Sequence, residues 1–172
     1  KPINIMYKSL NYYFTLIIAI ILLQSCSSKT ETKLAQFELK TLTGETLSNK
    51  DLEGKTTVIN VWGTWCGPCV QEIPYLNNLV EKYKDDNSVI FIALAKEEKN
   101  KISTFLSRRA FNYIQIPDAE ALTDKLHVGL VDEIPLHIIV NKKGIITFEM
   151  TGATHQIAEI LSAEIGKANR KN

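Results

Sequence analysis

Thr57-Val58-Ile59-Asn60-Val61-Trp62 is a β-branched, apolar run, and three residues after it stands Cys66-Gly67-Pro68-Cys69. Apolar residues then recur at offsets of three and four: Ile73, Leu76, Leu79, Val80 and Tyr83. The first run reads as one buried strand and the second as one face of a helix. The two cysteines therefore sit at a strand-to-helix joint. That placement constrains the fold and the chemistry of the chain more than any other feature.

The rest of the chain extends the pattern. Phe37 to Lys40, the turn-like Thr43-Gly44-Glu45 and Thr46-Leu47 form a hairpin signal. Val89 to Leu94 is almost wholly apolar, as expected of a parallel strand covered on both faces. Lys96 to Lys101 is highly charged and reads as a solvated loop and helix start, followed by an amphipathic stretch carrying Ile102, Phe105, Leu106 and Ala110. Tyr113 to Ile116 is a short strand, and Ala119 to His127 is helical. Leu136 to Val140 and Ile145 to Met150 form a hairpin around Asn141 to Gly144. Ile157, Ile160, Leu161, Glu164 and Ile165 mark a closing helix. Strands alternating with helices, then a hairpin and a helix, predict an α/β sandwich with a mixed sheet.

Composition sets limits on function. With 45% hydrophobic and 23% charged residues, the chain is neither disordered nor a multi-span membrane protein. A net charge of +1 gives no electrostatic reason to bind nucleic acid. Three cysteines are too few for a disulfide-stapled scaffold, and the odd count gives one of them a separate fate.

A Cys-x-x-Cys pair serves zinc as well as redox chemistry. Zinc would need two further Cys or His ligands, and there is no second such pair. His127, His137 and His155 are scattered singly. The strand-to-helix setting favours redox chemistry. Two intervening residues put both sulfurs in the first helical turn, where unpaired amides and the helix dipole favour a thiolate. Cys66, expected at the exposed edge, is the candidate nucleophile. Cys69, one turn deeper, is the candidate resolving thiol. Pro68 suits a first turn, where its missing N–H costs nothing.

The N-terminus carries a different signal. Lys1 and Lys8 precede an unbroken apolar run of 8 residues, Leu16 to Leu23. A bilayer-spanning helix needs about 20 apolar residues, so the segment reads as a secretory signal. Leu23-Gln24-Ser25-Cys26 resembles a lipoprotein signal, although Gln24 departs from its small middle residue. The resemblance implies that Cys26 is the lipidated first residue of the mature chain. The expected organisation is signal peptide 1–25, lipidated Cys26 and polar tether 26–36, and folded domain 37–172. Loss of residues 1–25 removes two lysines and no acid, which takes the net charge to −1.

From Val58 through Pro74 the sequence, VINVWGTWCGPCVQEIP, resembles thioredoxin-fold proteins. More narrowly, it is similar to the TlpA/ResA-type thiol-disulfide oxidoreductases, over about residues 37–165. The resemblance implies a thioredoxin fold, with a central mixed β-sheet flanked by helices and an N-terminal β-hairpin extension. It implies catalytic Cys66 and Cys69, with Glu72 exchanging a proton with the buried thiol. Asn60 stands where thioredoxin has a buried Asp, and Pro74 matches a helix-kinking proline. It further implies that Ile134-Pro135 is cis and faces the cysteines, and that Trp65, Gly67, Pro68, Ile134 and Pro135 contact substrate. Backbone pairing at Ile134 would add the substrate as a strand.

Where the family has Thr-Thr after that proline, this chain has Leu136-His137. Glu133 is a candidate rim residue, and His137 on its own reads as a satisfied strand residue. The implied cofactor is none beyond a Cys66–Cys69 disulfide. The implied partners are protein dithiols and disulfides and a membrane thiol donor, with the domain a monomer, lipid-anchored and facing the periplasm or exterior. Thioredoxin shares the Cys-Gly-Pro-Cys sequence and has a potential of about −270 mV, against about −120 mV for the oxidant DsbA, so reduction of exported proteins such as apocytochrome c is the expected direction. The alternatives are an oxidase or isomerase, a redox sensor, or copper delivery of the Sco type. That last type uses two cysteines with a distant His, for which His137 is the candidate here, but its cysteines are separated by three residues, where this chain has two.

Overall fold

A computed structural model describes residues 31–126 and 133–170. The expected signal peptide, Cys26 and His127 lie outside the described residues. A two-stranded antiparallel sheet comes first, β1 (Glu38–Lys40) with β2 (Thr46–Ser48), followed by the single-turn helix α1 (Asn49–Leu52). The remaining order is β3 (Thr56–Trp62), α2 (Gly67–Lys82), β4 (Val89–Ala95), α3 (Lys99–Leu106), β5 (Ile114–Ile116), α4 (Glu120–Leu126), β6 (Leu136–Val140), β7 (Ile146–Thr151) and α5 (Ile157–Arg170).

Five strands form the central sheet in the order β5-β4-β3-β6-β7. β3, β4 and β5 run parallel, while β6 and β7 are antiparallel additions. All seven residues of β3 are buried, because both sheet faces are covered. On one face Val58, Trp62 and Ile139 pack with Ile73, Leu76 and Leu79 of α2 and with Ile157, Leu161 and Ile165 of α5. On the other, Ile59, Val61, Ile92, Leu94 and Ile138 pack with Leu122 and Leu126 of α4 and with Leu47 and Leu52. This is the thioredoxin architecture expected from the sequence, N-terminal hairpin included. Alternation of side chains along β3 fixes what each residue can reach. Asn60 shares the α2 side of the sheet with Val58 and Trp62.

Three elements differ from the sequence reading. Ala110 is exposed and lies beyond α3, which closes at Leu106. The helix read as Ala119 to His127 begins at Glu120, with Ala119 buried in the preceding turn. The third concerns the tether. Ile146 N–H donates to Thr32 O at 2.8 Å, Leu34 N–H donates to Gly144 O at 2.9 Å, and Leu34 is buried in the second core. The polar segment expected to run to residue 36 thus docks along the start of β7 from Thr32. Asn141 makes that landing place: its Oδ1 accepts from Lys143 N and Ile145 N, both at 3.0 Å, and Gly144 takes φ +77 in the turn. Only Gly supplies that φ without steric cost.

Leu34 should therefore contribute to stability. Leu34→Ala is expected to cost about 2 kcal/mol, read in thermal unfolding as a melting temperature lower by roughly 5 °C. An unchanged melting temperature would put the folded boundary back near residue 37.

Candidate active site

Cys66 is the N-cap of α2, Gly67 and Pro68 open the helix, and Cys69 completes its first turn. Cys66 and Cys69 form a disulfide, with Cα atoms 5.3 Å apart. The Cys69 N–H donates to Cys66 Sγ at 3.2 Å. One of the amides a helix start leaves unpaired is thus aimed at that sulfur, as the sequence placement required. Across from it, the Ile134-Pro135 bond is cis, and Ile134 O lies 3.7 Å from Cys66 Sγ.

Cys66 was expected at the exposed edge, and here the structure corrects the sequence. It is 4% exposed, against 3% for Cys69. Its sulfur lies against the chain at Ile134. What is exposed is its surroundings. Trp65 is 73% exposed, Gly67 and Pro68 are exposed, Ile134 is half-buried and Glu133 is exposed. Pro135 is buried under them. A groove of about 900 Å³ runs from Trp65 along Val70 to Thr104, Phe105, Arg108 and Arg109.

The approach to the disulfide is held by a residue the sequence reading left in a solvated loop. Glu97 accepts from Thr64 N at 2.6 Å and from Thr64 Oγ1 at 2.6 Å. Gly63 gives it room: a Cβ there would meet Trp65 Nε1 at 2.9 Å and Glu97 Oε2 at 3.2 Å. Further along α2, Pro74 lies inside the helix and supplies no N–H to Val70 O. Arg109 Nη1 lies 3.5 Å from that freed oxygen, a weak contact at the far end of the groove.

Beneath Cys69, one turn along α2, is Glu72. It is 2% exposed, where a charged helix residue would ordinarily face water. Its Oε1 accepts from Thr154 N at 2.7 Å, and its Oε2 lies 3.0 Å from His137 Nε2. His137 is fully buried, and its Nδ1 lies 3.2 Å from Asn60 Nδ2. Asn60 and His137 are paired residues of β3 and β6. Burial pushes the Tyr113 phenol well above its ordinary pKa, the Glu72 charge adds to the effect, and the phenol therefore stays neutral.

The structure thus brings together Cys66, Cys69 and Pro135 beneath a rim of Trp65, Gly67, Pro68 and Ile134, with Glu72 behind Cys69. Sequence reasoning missed Glu97 and Thr154, and it connected His137 to the cysteines only through copper delivery, not to Glu72. One signal for the last was present: Asn60 and His137 each interrupt an otherwise apolar strand. The third histidine, His155, bonds Tyr75 Oη through Nδ1 at 3.0 Å. Among the described residues no group of three or more His, Cys, Asp and Glu is arranged to hold a metal.

The Redoxin family profile matches residues 29–164. Thiol-disulfide oxidoreductase ResA of Bacillus thuringiensis is 30% identical over 117 residues, which cover 67% of this chain and 66% of the relative. Thioredoxin-like protein YneN of Bacillus subtilis is 34% identical over 113 residues, 64% of each. The chain thus spans about two thirds of the length of these curated relatives. A thiol:disulfide interchange protein of the thioredoxin family from Chlorobium tepidum superposes with a TM-score of 0.67 over 81% of this chain and all of that one, at 20% identity, and so shares its fold.

The Glu97 clamp is open to test. Hydrogen bonds to a charged group are worth about 1.5–3 kcal/mol at most, and less where the group is half in water. Glu97→Ala should lower stability by less than that and speed amide hydrogen exchange at Thr64 severalfold. Unchanged exchange at Thr64 would mean the clamp holds nothing.

Proposed function

The chain belongs to the Redoxin family, and from that membership and the geometry above we propose that it is a thiol-disulfide oxidoreductase that reduces disulfides in exported proteins. The observation that carries this reading is the Cys66–Cys69 disulfide at the N-terminus of α2, with Ile134 O 3.7 Å from Cys66 Sγ under a rim of exposed Trp65, Gly67 and Pro68. The relatives named for this activity agree with it.

In the proposed cycle the protein begins as a dithiol. Cys66 attacks one sulfur of the substrate disulfide as a thiolate, stabilised by the Cys69 N–H and the start of α2. A Cys66–substrate bond forms and the first substrate thiolate leaves. The Cys69 thiol then gives its proton to Glu72 and attacks Cys66 Sγ. The Cys66–Cys69 bond forms, the second substrate thiolate leaves, and two electrons have passed to the substrate. Ile134, beside the cis proline, offers backbone groups to an extended substrate segment. The electrons reside in the two sulfurs, so the reading calls on no cofactor. A membrane dithiol would restore the reduced state. Anchoring through a lipid on Cys26 would hold the domain outside the cytoplasm, with the tether ending where Thr32 docks on β7.

Three measurements test this. A Cys69→Ser variant should accumulate a mixed disulfide with substrate through Cys66, while Cys66→Ser accumulates little; equal trapping would reverse or erase the assigned roles. Glu72→Gln should slow reduction of insulin by about 10²-fold and alter its pH profile, with the fold intact. Profiles that superimpose would return Glu72 to a structural part. Labelling with a radioactive fatty acid should mark the full-length protein and miss Cys26→Ala, and equal labelling would remove the anchor from the proposal.

A further inference from the structure

We propose that His137 is a positioning residue for Glu72, and that Asn60 sets the imidazole tautomer that lets it act. The inference rests on the reading of Glu72 as proton acceptor and extends it to residues that touch neither cysteine.

Hydrogen-bond chemistry carries the argument. The Asn60 Nδ2 that faces the ring is a donor only, so His137 Nδ1 must accept from it at 3.2 Å. A neutral imidazole then has its one proton on Nε2. That N–H lies 3.0 Å from Glu72 Oε2 and donates to it. Thr154 N–H donates to Oε1 at 2.7 Å. Each carboxylate oxygen thus faces one donor. Glu72 is held as a carboxylate in one orientation, with its remaining lone pairs free for an incoming proton. The other tautomer would set N–H against N–H at Asn60 and a lone pair against Glu72. An aspartate at position 60 could not enforce the choice, because it has no proton to donate when ionised.

The surroundings leave little else to orient the carboxylate. His137 is fully buried on the sheet face covered by α2 and α5. The titratable groups reaching this face from α2 and its C-cap are Cys69, Glu72, Tyr75, whose hydroxyl bonds His155, and Tyr83, whose hydroxyl lies by Ser162. Tyr113, ahead of β5, is kept neutral by its burial. From α5 come Ile157, Leu161 and Ile165, and Met150 of β7 is paired with His137, none of which ionises.

Two variants and one spectrum test the proposal in the full-length protein. Glutamine can offer an N–H to Glu72 and an oxygen to Asn60, whereas leucine offers neither. His137→Leu should slow disulfide exchange roughly tenfold or more, as a displaced catalytic group does, and should shift the pH profile of thiol alkylation. His137→Gln should recover most of the rate and the wild-type profile. A wild-type rate and profile in His137→Leu would make the histidine a packing residue and overturn the proposal. A His137→Gln variant as slow as His137→Leu would also overturn it, since the ring would then act by titrating. The spectrum does not depend on how either variant folds. Nitrogen-15 NMR of the oxidised wild type should show His137 Nδ1 bare and Nε2 protonated, and a protonated Nδ1 would refute the tautomer. Failure of the underlying reading looks different: Glu72→Gln would then exchange at the wild-type rate while the His137 spectrum stayed as expected.

Discussion

Pairing of β3 with β6 joins the two halves of the site. β3 leads into the cysteines, and β6 follows the cis proline. Their antiparallel register sets Asn60 against His137 and Val61 against Leu136. A slip of one residue would turn every side chain of β6 to the opposite face. His137 would then enter the α4 core and Leu136 would meet Glu72. The Ile134 carbonyl opposite Cys66 depends on the same register, since Ile134 is only two residues ahead of β6. One ladder thus fixes both the surface where substrate would pair and the buried groups behind Cys69.

Glu72 imposes a constraint of its own. A carboxylate removed from water is costly unless its oxygens are hydrogen-bonded. No lysine or arginine among the described residues forms an ion pair with it, and its donors are a backbone amide and an imidazole. Neutral donors satisfy the charge without cancelling it. A cation in contact would compete with any proton arriving from Cys69. Under the proposed cycle this distinction matters, because the acid must be buried, ordered and still basic. Asn60 serves the same end, as an amide can orient His137 without adding a second negative charge near the thiol.

Much of this was legible in the sequence, and the residues show why. β3, α2 and the β6–β7 hairpin were readable because their apolar spacing is local and the hairpin's turn is marked by Asn141 to Gly144. The cysteine pair was readable because two intervening residues at a helix start fix the geometry. Glu72 came from resemblance, since local pattern alone would leave a charged helix residue in water. Glu97 and Thr154 were not legible. Each acts on a residue far off in the chain, Thr64 and Glu72, through contacts that only tertiary packing creates. The burial of Cys66 was misjudged for a related reason. The chain against its sulfur, at Ile134, lies 68 residues downstream.

That burial bears on how the two sulfurs differ. Accessibility does not separate them, at 4% and 3% exposed. Their partners do. Cys66 Sγ receives an N–H from the helix start and stands next to the carbonyl of Ile134, at the edge where Trp65, Gly67 and Pro68 meet solvent. Cys69 is backed by the core under α2 and by the acid one turn on. A thiolate on Cys66 is stabilised by the helix start, whereas one on Cys69 faces an existing negative charge. The first sulfur is therefore suited to hold charge before substrate arrives. The second is suited to acquire it only as its proton departs, which under the proposed cycle is when the mixed disulfide is resolved.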